Sequence, residues 1–256
     1  AYIRKVSIDN QSWLFGVGNK ARTANISSPN AGDLTWETSQ QYNLGLDFGM
    51  FRDRLQFTAE GYIRDTKNML VQGKTLPAVY GASSPRENAA DLRTRGYEFS
   101  LSWRDQLSLA GKPFGYSISA NISNYDSHIT KYDNPTKIIS DYYVGERLGD
   151  IWGFEINELF ATDEEAAEYS SLVDLSYVSA SVIGPWLAGD VKYVDLDGDG
   201  VIGVGANTVD DPGDRKILGN SLASLSYGVT TAFDWMGFDF SVFFQGTGNH
   251  YWYPPR

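Results

Sequence analysis

Apolar and polar residues alternate strictly along six segments of this 256-residue chain. Every second residue is apolar from Tyr42 to Met50, and after a polar turn at 51–54 the alternation resumes from Leu55 to Ile63. Successive side chains of a strand point to opposite faces, so this pattern on both sides of a short turn predicts an antiparallel hairpin. Two further hairpins are predicted, 97–103 with 114–123 across a connection at 104–113, and 225–235 with 238–245 across the turn Met236–Gly237.

The length and chemistry of these segments favour a membrane barrel over a soluble β-sandwich. They run for about 9–11 residues, the span of a tilted strand crossing hydrocarbon, whereas soluble strands average about 5–6. Their apolar face carries no charge, because Lys or Arg facing lipid at mid-membrane costs about 2–4 kcal/mol. Aromatic residues crowd the turn ends, as in an interfacial girdle, and short turns alternate with long connections. We therefore expect an all-β, antiparallel transmembrane β-barrel portion with long extracellular loops.

The alternation assigns the residues of each face. The residues expected to face lipid are Leu44, Leu46, Phe57, Phe99, Leu101, Ile118, Val229, Phe240 and Val242. The residues expected to face the lumen and the substrate are Gln56, Thr58, Glu60, Glu98, Ser100, Asp239, Ser241 and Gln245. For any single lumenal residue, solvation of the barrel wall is the simpler role.

The two long connections are expected at 65–95 and 124–224, and the second is too long to lack structure. Alternation at Trp152, Phe154 and Ile156 and the β-prone run 142–144 predict one further hairpin there. The sequence from Thr162 to Glu165 forms a capping box, which predicts a short surface helix.

An Asp/Gly-rich loop is the sharpest local motif. Asp195, Asp197 and Asp199 stand at positions one, three and five of a calcium-binding loop, and the carbonyl of Val201 stands at position seven. Position twelve is Ala206 instead of a bidentate Glu, so we expect a later oxygen to complete the site, supplied by one of the aspartates at 210, 211 and 214. The alternative is a solvated turn without Ca²⁺.

The composition excludes several other functions. There is no cysteine, and 32 acidic against 21 basic residues give a net charge of −11, which argues against binding to nucleic acid. Gly73–Thr75 lacks the first glycine of a phosphate-binding loop, His128 and His250 have no nucleophile motif nearby, and Glu155 and Glu158 are ordinary in so acidic a chain. No catalytic site is expected, so an enzyme is not predicted.

Neither a secretion signal nor a membrane-spanning helix is predicted. The chain begins AYIRKVSIDN, without Met or an apolar h-region, and no run approaches about 18 apolar residues. The last strongly patterned segment is followed closely by HYWYPPR. We therefore expect residues 1–256 to be one piece of a longer protein.

Taken together, the motifs resemble those of the SusC/RagA family of TonB-linked outer-membrane proteins, in the same order over nearly the whole chain. The matching stretches are Asp33–Glu37, Tyr42–Gly49, Arg54–Leu55, Tyr62–Leu70 (YIRDTKNML), Leu92–Leu101, Gly149–Phe154, Gly189–Tyr193 with the Asp/Gly loop, and Phe238–Ser241 with Phe244–Gly246. Each stretch alone is a weak signal, and their combination is specific.

The resemblance implies one partial outer-membrane β-barrel domain over 1–256, with about eight to ten strands of a barrel of about 22, and with the N-terminal plug and the last strands absent. It implies nutrient uptake of a glycan or a peptide by a TonB-dependent receptor of SusC type. The implied partners are a SusD-like surface lipoprotein, TonB through the absent N-terminal part, and outer-membrane lipid. Two alternatives stay open, a small passive outer-membrane barrel and a soluble calcium-dependent β-sandwich module that binds carbohydrate.

Overall fold

A computed structural model describes residues 6–15, 19–26, 34–74, 77, 79, 84–181 and 184–252 of the chain. Asp33 of the family motifs and Thr75 of the Gly-Lys-Thr run lie outside these ranges. Among the described residues, no helix is long and apolar enough to span a membrane.

The described part of the chain is built mainly from twelve antiparallel strands. The strands are β1 (Val6–Phe15), β2 (Asn19–Ile26), β3 (Thr38–Met50), β4 (Leu55–Gln72), β5 (Arg86–Leu109), β6 (Lys112–Lys131), β7 (Asp150–Phe154), β8 (Ile156–Leu159), β9 (Val191–Tyr193), β10 (Arg215–Asn220), β11 (Ser226–Trp235) and β12 (Phe238–Thr247). Six of them form the main sheet in the order β3-β4-β5-β6-β11-β12, and β1 pairs with β2. The three predicted hairpins are confirmed as the pairs β3–β4, β5–β6 and β11–β12.

The turns agree with the sequence at two of the three hairpins. The turns at 51–54 and at Met236–Gly237 lie where they were predicted. The predicted connection at 104–113 is wrong, because β5 and β6 continue to a two-residue turn at Ala110–Gly111. Both residues of that turn have positive φ, 51° and 73°, as a type I′ hairpin turn requires, and only glycine adopts this conformation without strain.

The strands also extend beyond their predicted ends on the side of the long connections. Residues 65–72, 86–95 and 124–131 were predicted as loop but continue β4, β5 and β6. Here polar side chains join neighbouring strands: Arg93 Nε and Nη2 donate to Asp65 at 2.6 and 2.9 Å. With polar residues on both faces, the contrast in hydropathy that marked the strands disappears.

The residues between β6 and β11 form a structured insertion. The predicted strand at 152–156 is confirmed as β7 and β8, but these do not form a hairpin, since β7 pairs with β10 and β8 with β9. The prediction of a strand at 142–144 is wrong, since these residues are not in a strand. The Tyr143 side chain is buried instead, and its hydroxyl accepts a hydrogen bond from Trp152 Nε1 at 3.3 Å. A short 3₁₀ helix spans Val178–Ser181.

The predicted helix is confirmed as α1 (Asp163–Leu172) in the same insertion. The Thr162 side chain caps it by accepting the N–H of Glu165 at 3.2 Å, and Glu165 in turn accepts the N–H of Ala161 at 2.9 Å. Ala166 of this helix is fully buried, together with Phe160 (2% exposed) and Ile202 (0%). The most deeply buried side chains of the described chain therefore lie in the insertion and not on the main sheet.

Candidate functional site

The register of the main sheet separates two faces. Residues directly opposite each other in an antiparallel pair share a face, and one such row runs from Phe57 through Leu101, Ala120 and Val229 to Phe244. The row beside it runs through Thr58, Ser100, Asn121, Gly228 and Gln245. Extended over all six strands, this register puts every residue predicted to face lipid on one face, the outer face. It puts every predicted lumenal residue on the opposite, inner face.

The outer face is apolar and uncovered in this chain. Leu46 is 59% exposed, Ile118 49% and Phe240 52%. Within the described ranges, no second layer of structure packs over these side chains. A water-soluble domain would bury such a surface, because each large apolar side chain gains about 1.5–3 kcal/mol from burial.

Aromatic rings join along the outer face near the short turns. Phe51 and Trp103 lie with ring centroids 6.0 Å apart, and Phe233 lies 5.7 Å from Phe114 and 5.2 Å from Phe240. Tyr116 links the two groups, since its hydroxyl accepts a hydrogen bond from Trp103 Nε1 at 3.3 Å and its ring lies 6.3 Å from Phe114. Aromatic rings at one level are typical of the interfacial girdles of outer-membrane barrels.

The inner face is concave and polar. A concavity of about 750 Å³ is lined by Thr58, Glu60, Glu98, Ser100 and Gln245, all predicted lumenal residues. A second concavity of about 580 Å³, nearer the short turns, is lined by a set that includes Asp239 and Ser241 together with Arg54, Arg104 and Asp234. Gln56 lies on the same face and is exposed but lines neither concavity.

Polar side chains hold one another across the inner face. Glu60 and Glu98 stand directly opposite, and Asn43 Nδ2 donates to Glu60 Oε1 at 2.8 Å. Thr58 Oγ1 donates to Asp47 Oδ1 at 2.8 Å. Like charges directly opposite each other are destabilising unless they are solvated, so this surface is suited to contact with water and polar solutes.

Sequence reasoning missed several residues that line these concavities. Asn121 and Ser123 on β6 line the larger one, as does Phe243 on β12, and Arg104 and Asp234 line the smaller one. Alternation within each strand already puts Asn121, Ser123, Phe243 and Asp234 on the polar face. Arg104 was missed because the predicted connection began there.

The Asp/Gly loop brings three carboxylates together. Asp195, Asp197 and Asp214 each offer an oxygen within 4.8 Å of the others. Of the three aspartates considered as the missing ligand, Asp214 is the one in this group, and it is 1% exposed. The Asp199 carboxylate is not in the group, and it accepts the N–H of Val201 at 2.7 Å.

The same carboxylates already order the loop through backbone hydrogen bonds. Asp195 accepts the N–H groups of Gly198 and Gly200 at 2.7 and 2.9 Å, and Asp214 accepts those of Leu196 and Gly203 at 2.6 and 2.8 Å. Calcium binding therefore stays a prediction, because this network stabilises the loop with or without a cation.

The pKa of Asp197 lies above its usual value. The N–H of Asp199 lowers this pKa, but desolvation and the negative charges of Asp199, Asp214 and Asp195 together raise it by more. A divalent cation among these oxygens would relieve the repulsion.

Comparison with known proteins agrees with this architecture. A sequence model described as TonB dependent receptor-like, beta-barrel matches residues 8–255. TonB-dependent receptor P3 of Formosa agariphila is 26% identical over 84% of this chain and 21% of its own length. TonB-dependent receptor SusC of Bacteroides thetaiotaomicron is 26% identical over 99% of this chain and 23% of its own length.

Solved structures resemble the chain in fold. A chain of the RagAB peptide importer in its open-open state gives a TM-score of 0.65 at 18% identity, covering 96% of this chain and 24% of that one. The closed-closed state of the same importer gives 0.63. At this identity the likeness shows the fold alone. The chain spans about a fifth of the length of the curated relatives that it matches.

Proposed function

The chain belongs to the TonB-dependent receptor-like β-barrel family of the bacterial outer membrane, and we propose that it supplies part of the wall and loops of a SusC-type nutrient importer. The single observation that carries this proposal is the two-faced main sheet. Its apolar outer face is exposed, and its inner face is polar and concave. In such a wall the outer face contacts acyl chains and the inner face contacts the water-filled passage.

The height of the apolar band supports this proposal. Outward side chains are uncharged from Tyr42 to Met50, from Leu55 to Ile63 and from Phe114 to Ile122. Each of these spans covers about nine residues, or about 30 Å of extended chain. At a strand tilt of about 40° this becomes a height of about 23 Å, close to the roughly 25 Å apolar band of outer-membrane barrels.

The cargo of the proposed importer is a glycan or a peptide. The inner face offers carboxylates, hydroxyls and amides from Glu60, Glu98, Ser100, Asn121 and Gln245. These groups hydrogen-bond equally to sugar hydroxyls and to peptide N–H groups. The solved RagAB structures are described as a peptide importer, which supports the peptide class.

The proposed partners follow from the family. A SusD-like surface lipoprotein would sit on the long-loop side, where the insertion between β6 and β11 presents its own folded surface. TonB would supply energy through a part of the full protein outside this chain. In this arrangement the insertion and the ends of β4, β5 and β6 form the entrance through which the cargo passes.

The alternatives fit the observations less well. A soluble β-sandwich needs a second sheet over the apolar face, and within the described ranges that face is uncovered. A complete eight-stranded pore needs a closed sheet, whereas the main sheet has six strands with β3 and β12 at its edges in the part of the chain described.

Import is tested in the producing bacterium with the full-length gene. We expect its deletion to abolish uptake of at least one member of a panel of labelled oligosaccharides and oligopeptides, and loss of TonB to have the same effect. Undiminished uptake of every member in the deletion strain would refute the proposal.

The lumenal role is tested with the double change Glu60→Gln and Glu98→Gln in the full-length protein. We expect altered uptake at an unchanged amount of folded protein in the outer membrane, because both side chains are on the inner face. The matched control is Asp53→Asn, which removes a carboxylate charge in the short turn at 51–54, outside both concavities, and should leave uptake unchanged.

A further inference from the structure

Charged residues replace apolar ones where the outer band ends on the long-loop side. On β5, the outward residues beyond Tyr97 are Arg95 and then Arg93, and on β4 those beyond Ile63 are Asp65 and then Lys67. Both strands continue through these positions, and the β4–β5 pairing has a bulge between Thr66 and Met69, beside Lys67. The charges therefore stand on the outer face itself, about 7 to 14 Å along the strands from the last apolar side chain.

We define these residues with their outward neighbours on β6 and in the following segment as the collar. The collar consists of Asp65, Lys67, Arg93, Arg95, Asp126, His128 and Arg147. It holds four Lys or Arg and two Asp, a charge of +2 with His128 neutral. The next outward pair, Asp91 with Lys131, adds no net charge, whereas the whole chain has a net charge of −11. Cations thus outnumber anions at this level of the outer face.

Two of the cations, Lys67 and Arg95, form no ion pair, although both act electrostatically on the Asp65 carboxylate that Arg93 binds. Arg93 is paired with Asp65 through two hydrogen bonds, and Asp126 is bound by Arg147 and His128. No ion pair joins Lys67 or Arg95 to another residue that the structure describes, and both side chains are exposed. They are therefore available to an anion from outside the protein.

We propose that the collar binds the phosphate groups of lipid headgroups in the outer leaflet. This proposal rests on the proposed function, because it takes the apolar band next to the collar to be lipid-facing. A lipid whose acyl chains lie on the band brings its headgroup to the level of the collar. Lys and Arg at a membrane surface attract anionic headgroups, and the guanidinium fork matches the oxygens of a phosphate.

The position of the collar favours lipid over a dissolved anion in transit. The collar is on the outer face, while the concavities that would contact a solute are on the inner face, on the other side of the sheet. It is also continuous with the apolar band through Tyr97, an exposed amphipathic side chain of the kind found at headgroup level.

The test uses the full-length protein in phosphatidylcholine nanodiscs containing a minor fraction of bisphosphorylated lipid A or its dephosphorylated form. Lipid retained per protein is measured by mass spectrometry after washing. We expect the wild type to retain the phosphorylated form preferentially and the double change Lys67→Gln with Arg95→Gln to weaken retention by about fivefold per charge, about 25-fold together. Arg64→Gln is the matched control, because Arg64 lies at the same height on the inner face, opposite Thr94.

Equal retention of both lipid A forms by the wild type, or an equal effect of Arg64→Gln, would overturn the proposal. The wild-type comparison does not depend on any variant folding. Quenching of tryptophan fluorescence by brominated lipid in the same nanodiscs tests the lipid-facing band separately. Quenching without phosphate preference refutes the collar alone, whereas absent quenching refutes the lipid-facing band.

Discussion

The substitution Leu46→Arg places a charge at the middle of the outer apolar band. Leu46 lies midway between Tyr42 and Met50, opposite Ala59, and 59% of it is exposed on a face that no described residue covers. If this face contacts acyl chains, the guanidinium must be desolvated or must deform the bilayer, at a cost of about 2–4 kcal/mol. This is a large part of the roughly 5–15 kcal/mol that stabilises a typical protein.

The same change elsewhere on the hairpin separates lipid contact from general damage. Tyr42→Arg, at the edge of the band, should cost about 0–1 kcal/mol. Thr58→Arg introduces the same side chain on the inner face, beside the Asp47 carboxylate that Thr58 contacts at 2.8 Å, so it should be close to neutral.

The assay is urea unfolding of the full-length protein in phospholipid vesicles, followed by the shift between folded and heat-denatured bands on a gel. The expected order of destabilisation is Leu46→Arg first, then Tyr42→Arg, with Thr58→Arg last. If Leu46→Arg and Thr58→Arg destabilise the protein equally, the assignment of the two faces is wrong.

Three further predictions concern the turns, the acidic loop and the helix. Gly111→Val should destabilise the β5–β6 hairpin by about 1–2 kcal/mol because φ is +73° there. Gly45→Ala should not, because the added Cβ would lie 3.9 Å from the Ala59 carbonyl oxygen, an ordinary contact. The urea midpoints of the two full-length variants test this difference. Chelation should lower the thermal midpoint of the calcium-loaded protein and Asp197→Ala should remove this response; no uptake at millimolar Ca²⁺ would contradict the calcium prediction. Thr162→Ala should cost about 1 kcal/mol of helix stability, measured by amide hydrogen exchange in α1, with Thr162→Ser retaining the cap.

The sequence predicted the hairpins and their faces because the two faces differ in hydropathy. Along 42–63 each change of face is a change from apolar to polar, so period two is visible without any knowledge of the partner strand. Beyond Ile63 the same strand continues to Gln72, but residues 64–68 are polar on both faces and residues 69–71 are apolar on both. The strand continues there, but its hydropathy no longer alternates, so the sequence pattern does not reveal it.

The pairing of strands that are far apart in the sequence could not be predicted from local hydropathy patterns. β7 is recognisable as a strand from its residues, yet its partner β10 begins at Arg215, about sixty positions later, and nothing in either sequence selects the other. Similarly, the sequence alone does not distinguish the three aspartates at 210, 211 and 214 as candidate ligands. Only in the folded insertion does Asp214 lie buried beside Asp195, while Asp211 accepts the backbone N–H of Ala206 instead.

The insertion and the main sheet differ in how far they bury their apolar side chains. The insertion closes on itself and buries Phe160, Ala166 and Ile202 almost completely, as a water-soluble fold does. The main sheet leaves Leu46, Ile118 and other large apolar residues exposed, although the strands between its two edges are paired on both sides. Backbone hydrogen bonding is therefore internal to the sheet while side-chain burial is left to the surroundings. Because lipid offers burial but no hydrogen bonds, such a sheet is suited to lipid on its outer side, and the insertion to water.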